Sequence, residues 1–185
     1  METDAGKKTH LYRLQHPVAA DQQTEARLAQ KVSRAGQMTF EDRLRRDLEA
    51  DEGVVLGVYI DSLGHKTCGI GHLCRPGEPE YDMGVGSEIT AERVDELYEQ
   101  DAAAALNDCR WLFADWDSLP EEARLVLANM MFNIGLPRLS KFVLMRQAVE
   151  DRDWQRAGDE MENSRWRKQV PNRSSRLISR MRSLG

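Results

Sequence analysis

Phe40, Leu44 and Leu48 recur four residues apart, a spacing that puts them on one helical face and predicts a helix from about residue 40 to Glu52. Thr39 with Asp42 makes a capping-box-like start, and Gly53 supplies a stop. The period then changes. Val54 to Ile60 is rich in β-branched residues, Asp61-Ser62-Leu63-Gly64 has the Asp-first, Gly-last order of a tight turn, and Gly69-Ile70-Gly71 continues a return strand, so a β-hairpin is predicted. Proline and glycine between Arg75 and Glu88 predict a loop. Beyond it Thr90 caps a long helix whose apolar stripe, Val94, Leu97, Tyr98, Ala102, Ala105 and Leu106, runs toward Cys109. At 1.5 Å per residue that helix makes roughly five turns, enough to bridge two lobes. Ser118 and Glu121 form a second capping box with Pro120 at an early helical position. Ala123, Val126, Leu127, Met130, Met131 and Ile134 then make a helix apolar on most sides, the predicted centre of the core, ended by Gly135. Shorter helices are predicted over 140–149, 153–161 and 172–181.

Ahead of residue 38 the pattern lapses. Met1 to Gln37 holds few large apolar side chains, apart from Leu28 and Val32 of a short helical stretch over 24–32, and reads as a flexible arm. The predicted fold class is therefore α+β, with one domain over 38–185. Its small, hairpin-containing lobe covers about 51–89, and its helical lobe covers about 90–185 together with the helix 40–52.

Composition adds limits. A chain of 185 residues, 41% hydrophobic and 31% charged, suits one soluble globular domain with a real core. No stretch approaches the ~20 apolar residues of a membrane span, and the N-terminus lacks the apolar region of a secretory signal. Cys68, Cys74 and Cys109 form an odd set without metal-ligand spacing, the pattern of free thiols made in a reducing cytosol; neither metal nor cofactor is predicted. A net charge of -5 argues against a general nucleic-acid binder. After Glu162, however, only cations follow: Arg165, Arg167, Lys168, Arg173, Arg176, Arg180 and Arg182. That basic end suits either an anionic polymer such as a cell wall or a solvated helix face.

The candidate chemistry lies where the first helix meets the hairpin. Glu52, Asp61 and Thr67 supply two carboxylates and a hydroxyl, the set that glycoside hydrolysis uses to protonate a leaving oxygen and to activate a water. Glu52 falls on the last helical turn, where the helix dipole disfavours negative charge, a setting that suits a proton donor. The same triplet also reads as an acidic helix face, a turn-starting Asp and an ordinary strand Thr. His65 reads as a residue of the solvated hairpin.

The surrounding residues sharpen that choice. The run Asp51-Glu52-Gly53, Tyr59, Asp61, Gly64, Thr67 and Gly69-Ile70-Gly71-His72-Leu73 resembles the lysozymes of T-even bacteriophages. The likeness continues through Gln100-Asp101, Asn129-Met130, Phe132, Gly135, Ser164-Arg165-Trp166, Gln169, Pro171-Asn172-Arg173 and Arg176, and covers roughly Met38 to Met181. It implies an α+β fold with a cleft between two lobes, cutting the β-1,4 bond between N-acetylmuramic acid and N-acetylglucosamine. Glu52 would then be the general acid, while Asp61 and Thr67 activate water on the opposite face of the sugar and invert the configuration. Leu73, Phe132, Asn133 and Arg165 would contact substrate, and His72 with Asp101 would form an ion pair that braces the lobes. Several positions depart from the family pattern. Asn133 replaces a cleft Gln, Arg167 and Val170 differ, Cys68 stands where the family has an apolar residue, and the stretch from His72 to Thr90 is shorter, implying loss of a strand or short helix.

The resemblance thus implies a peptidoglycan hydrolase, a monomeric domain that acts on the cell wall. Without an export signal it would be made in the host cytoplasm and reach the periplasm through another protein's action, or be carried in the virion, with residues 1–37 docking on a virion protein. A structural or wall-binding virion component with little hydrolysis is the alternative.

Overall fold

The computed structural model describes residues 38–61 and 64–185; the arm predicted over 1–37 and its helical stretch lie outside the described residues. Helix α1 (Phe40–Glu52) buries Leu44 and Leu48 and ends where Gly53, at φ 75°, donates its N–H to Glu49 O. A left-handed residue there is what stops a helix and turns the chain toward a strand. Strands β1 (Val55–Ile60), β2 (Lys66–Gly69) and β3 (His72–Leu73) follow as one antiparallel sheet in that order. The Gly64 N–H donates to Asp61 O at 3.1 Å, closing the turn that the Asp-first, Gly-last order predicts.

Register decides which side chains meet. Tyr59 faces Thr67, Thr67 faces Leu73, and Cys68 faces His72. Directly paired residues point to the same side of a sheet and neighbours alternate, so Tyr59, Thr67 and Leu73 share one face while Cys68 and His72 share the other. Val58 and Cys68 are fully enclosed on that second face. The outer edge of β1 is covered by main-chain bonds to Gly86, Ser87 and Ile89, which leaves that edge without a free ladder.

The segment from Arg75 to Glu88 is less irregular than predicted, since Pro79 starts a single helical turn, α2 (Pro79–Asp82). Helix α3 (Ala91–Leu112) begins at Thr90, whose hydroxyl accepts the Arg93 N–H at 3.2 Å, and buries Val94, Leu97, Tyr98, Ala102, Ala105 and Cys109 along its predicted stripe. Helix α4 (Glu121–Ile134) is the core element, with every residue from Leu125 to Met131 buried. The capping box expected from Ser118 and Glu121 is not formed. Ser118 is taken into a 3-10 turn (Trp116–Ser118), where its hydroxyl donates to Asp115 O at 2.8 Å, and the cap position passes to Pro120. A hydroxyl satisfied by a local carbonyl has no reason to reach the helix N-terminus.

Around α4 sit α5 (Leu136–Leu139), α6 (Val143–Glu150), α7 (Trp154–Glu162), α8 (Arg165–Gln169) and α9 (Pro171–Arg182). Asp153 and Ser164 cap α7 and α8 by accepting the N–H three residues on. Phe40–Gly185 is one compact unit, and its helix-rich architecture with a small antiparallel sheet is the α+β class expected.

The basic C-terminal end is neither a solvated face nor an open anion surface. Arg173 and Arg176 pair with Asp51, Arg180 with Asp47 and Glu122, and Arg182 with Asp159 and Glu162. Arg167 also pairs with Glu162, which leaves Arg165 and Lys168 as the cations of this stretch without an ion pair among the described residues. Charges far apart in sequence thus join the last helix to the first.

Candidate active site

Glu52 is the last residue of α1 and reaches the hairpin because Gly53 turns the chain immediately after it. Its Oε1 accepts from Arg173 Nη1 at 2.5 Å, while its Oε2 lies toward Gly71, where a Cβ would stand 3.2 Å from that oxygen. Gly71 has φ 70°, so glycine is needed here twice, for the turn between β2 and β3 and for the space that the carboxylate fills. Gly71→Ala should therefore cost about 1–2 kcal/mol of stability in urea denaturation and shift Glu52 enough to lower any hydrolysis at least tenfold. Unchanged turnover on a folded variant would remove the constraint on Glu52.

Asp51 and Glu52 are adjacent acids with different fates. The Asp51 side chain is 4% exposed, and one of its oxygens is taken by Asn129, Arg173 and Arg176, at 2.9, 3.2 and 2.7 Å. Glu52 is 24% exposed and bound on one oxygen only. Asp51 is therefore committed to structure, whereas Glu52 can meet a ligand. The Arg173 guanidinium that serves both is itself fixed by Asn129, which accepts through its side chain at 2.8 Å and its main-chain carbonyl at 3.3 Å.

Across the hairpin, Asp61 follows β1 on the face of Tyr59 and Thr67. Its Oδ1 accepts the His65 N–H at 2.8 Å, and its side chain is 29% exposed. Thr67 is buried on β2 and donates its hydroxyl to His65 O at 3.2 Å. Since that hydroxyl's one proton is committed, its lone pairs can only accept. Tyr59 sits between these groups: burial first, then the charges of Glu52 and Asp61, push its phenol above the ordinary range. The sequence offered a signal for Tyr59, a tyrosine two residues before an acid on one strand face, yet assigned it no role.

The remaining residues of the candidate set spread over two regions. Leu73 is exposed and faces Thr67 across β2 and β3. Phe132 packs its ring 6.4 Å from that of Tyr98. Asn133 accepts from the indole N–H of buried Trp166 at 2.9 Å, so its carbonyl is occupied and its amide N–H groups remain. Arg165 is exposed and lines a cavity of about 660 Å³ with Trp166, Phe142, Leu144 and Gln169, to which Glu52, Asp61 and Thr67 contribute nothing.

His72 lies on the buried face of the sheet with Nδ1 2.7 Å from Asp101 Oδ2 and Nε2 3.0 Å from Glu78 Oε2. Burial works against its charge, but the two carboxylates outweigh it, and its pKa is raised above the ordinary 6.5. Glu78 is held low in turn: burial opposes this, while the Arg75 N–H and His72 overcome it. A raised imidazole stabilises the fold fully below the unfolded value and loses that contribution as pH climbs through the folded one. The melting-temperature gap between the wild type and His72→Gln should thus be widest below about pH 6.5 and narrow toward pH 9. A gap that stays constant across that range would show that the imidazole is not charged in the folded protein. No group of acids, histidines and cysteines among the described residues could hold a metal ion.

Arg173 thus holds the half-buried carboxylate that ends α1, and the hairpin that follows carries an acid and a hydroxyl, all on an α+β scaffold. The chain belongs to the phage lysozyme family, whose model matches residues 49–183. It is 32% identical over 155 residues to probable T4-type lysozyme 2 of Dictyostelium discoideum, covering 74% of this chain and 91% of that protein. It is also 32% identical over 159 residues to the pre-baseplate central spike protein Gp5 of Enterobacteria phage T4, which covers 76% of this chain but 27% of the spike protein. Peptidoglycan hydrolase gp36 of Pseudomonas phage phiKMV is 28% identical over 137 residues, 74% of this chain and 15% of its own length.

Proposed function

We propose that the protein is a muramidase, cutting the β-1,4 bond between N-acetylmuramic acid and N-acetylglucosamine in peptidoglycan with inversion of configuration. Glu52 is the general acid. With Oε1 held by Arg173, Oε2 is the oxygen that carries the proton to the leaving glycosidic oxygen. Asp61 is the base and Thr67 its helper. A water that donates one hydrogen to the Thr67 hydroxyl and the other to Asp61 turns a lone pair toward the anomeric carbon. As its oxygen bonds there, the glycosidic bond breaks, Asp61 takes the water's proton and Glu52 gives up its own. The observation that carries this reading is the accept-only state of Thr67, fixed by the same residue, His65, that holds Asp61. Leu73, Phe132, Asn133 and Arg165 are proposed substrate contacts, and no cofactor is required by this chemistry.

The test is the reducing end. Purified peptidoglycan digested with the protein and then reduced with borohydride should yield reduced N-acetylmuramic acid as the new end. Reduced N-acetylglucosamine would mean a different glycosidic bond, and no new end at all would favour a wall-binding role.

The site of action is the bacterial cell wall, and no helix of the described residues is long and apolar enough to cross a membrane. Carriage in a virion is a specific second placement, supported by the identity with a central spike protein. In that case residues 1–37 would be the docking segment.

A further inference from the structure

His65 stands at the turn between the two residues that would hold the water, and its main chain touches both. Its N–H donates to Asp61 Oδ1 at 2.8 Å, and its carbonyl accepts the Asp61 N–H at 2.8 Å and the Thr67 hydroxyl at 3.2 Å. The ring adds a further contact, with Nδ1 3.5 Å from Asp61 Oδ2, a distance that suits an ion pair better than a hydrogen bond. Unlike His72, enclosed by two carboxylates, this side chain is 57% exposed. The turn itself needs only the main chain of residue 65, so the imidazole's contact with Asp61 is not explained by folding.

We propose that His65 is a positioning residue for hydrolysis, whose ring pairs with Asp61 when protonated and weakens it as a base, and frees it when neutral. This inference rests on the reading of Asp61 as the water-activating base. A cation beside a carboxylate stabilises its ionised form, so a proton is taken from water with less driving force. Histidine is the side chain whose charge changes between pH 5 and 8. Hydrolysis should therefore depend on the charge carried at position 65.

The neighbouring charged groups leave Asp61 as the partner. Lys66 on β2 sends its ammonium away, to the carbonyls of Tyr81 and Met83 at 2.6 and 2.7 Å. Glu52, arriving from α1, is held by Arg173, and Tyr59 on β1 and Thr67 on β2 carry no charge in this pH range. The main-chain bonds that fix the turn do not depend on the ring, so exchanging the side chain leaves the positions of Asp61 and Thr67 intact.

The experiment measures kcat/KM on purified peptidoglycan from pH 5.5 to 8 at constant ionic strength, for wild type, His65→Gln, His65→Lys and Asp61→Asn. Dividing each variant by the wild type cancels ionisation of the substrate. A neutral residue should raise the ratio about threefold at pH 5.5 and return it to one at pH 8, from a charge at this separation in partial solvent. A permanent cation should give a ratio near one at pH 5.5 and about a third at pH 8. Ratios that do not change with pH, in an enzyme that loses activity on Asp61→Asn, overturn the role of His65 alone. Full activity of Asp61→Asn, or none in the wild type, overturns the reading of Asp61 as well.

Discussion

Glu52→Gln should lower hydrolysis of peptidoglycan by about 10²- to 10⁴-fold while the protein keeps its fold. The amide has the size of the carboxyl and an oxygen that still accepts from Arg173, but it has no proton to give to a departing glycosidic oxygen. Structure survives because Arg173 keeps Asp51 and Asn129, both buried and unaffected by the exchange. Turnover on purified peptidoglycan, read beside circular dichroism and the urea midpoint, separates the two effects. A folded variant within threefold of the wild type would remove Glu52 as the acid.

Arg173→Met should cost about 3–5 kcal/mol of stability. Its guanidinium, 7% exposed, ties Asp51 and Glu52 at the end of α1 to Asn129 of α4, two elements that the sequence places far apart. Without it the buried Asp51 keeps Arg176 and Asn129 but loses one of two cations, and the Asn129 side-chain oxygen loses its donor. A buried acceptor left unpaired costs its full desolvation, which is why removing one member exceeds the net worth of the pair. Denaturant midpoints measure this directly, and Arg165→Ala, an exposed cation without an ion pair among the described residues, serves as the contrast with a change within about 0.5 kcal/mol. Adding Asp51→Asn to Arg173→Met should recover part of the loss, since the stranded charge is then gone. If Arg173→Met costs less than 1 kcal/mol, Asp51 is solvated in some other way.

These two residues also mark what the sequence can and cannot express. The stripe of α3, the enclosed α4 and the hairpin were legible because each follows from a period of 3.6 or 2 within a short window. Glu52, Asp61 and Thr67 could be singled out because they fall within one such window. Arg173 could not, for it lies 121 residues from Glu52 and reads locally as one cation among seven in a basic run. Nothing in that run tells that Asp47, Asp51 and Glu122 lie within reach of it. The capping box at Ser118 failed for the opposite reason: a correct local motif met a competing carbonyl at Asp115, and the nearer partner won. His65 was legible as exposed but not as the residue whose main chain fixes Asp61 and Thr67, since that depends on the register of β1 against β2.

The anomer released first reports directly how the glycosidic bond is cut. Proton NMR of peptidoglycan under digestion, read before mutarotation, should show α-configured reducing N-acetylmuramic acid growing with the wild type and absent with Glu52→Gln. β-configured ends appearing first, or the same release from the Glu52→Gln protein, would contradict an inverting muramidase built on Glu52, Asp61 and Thr67.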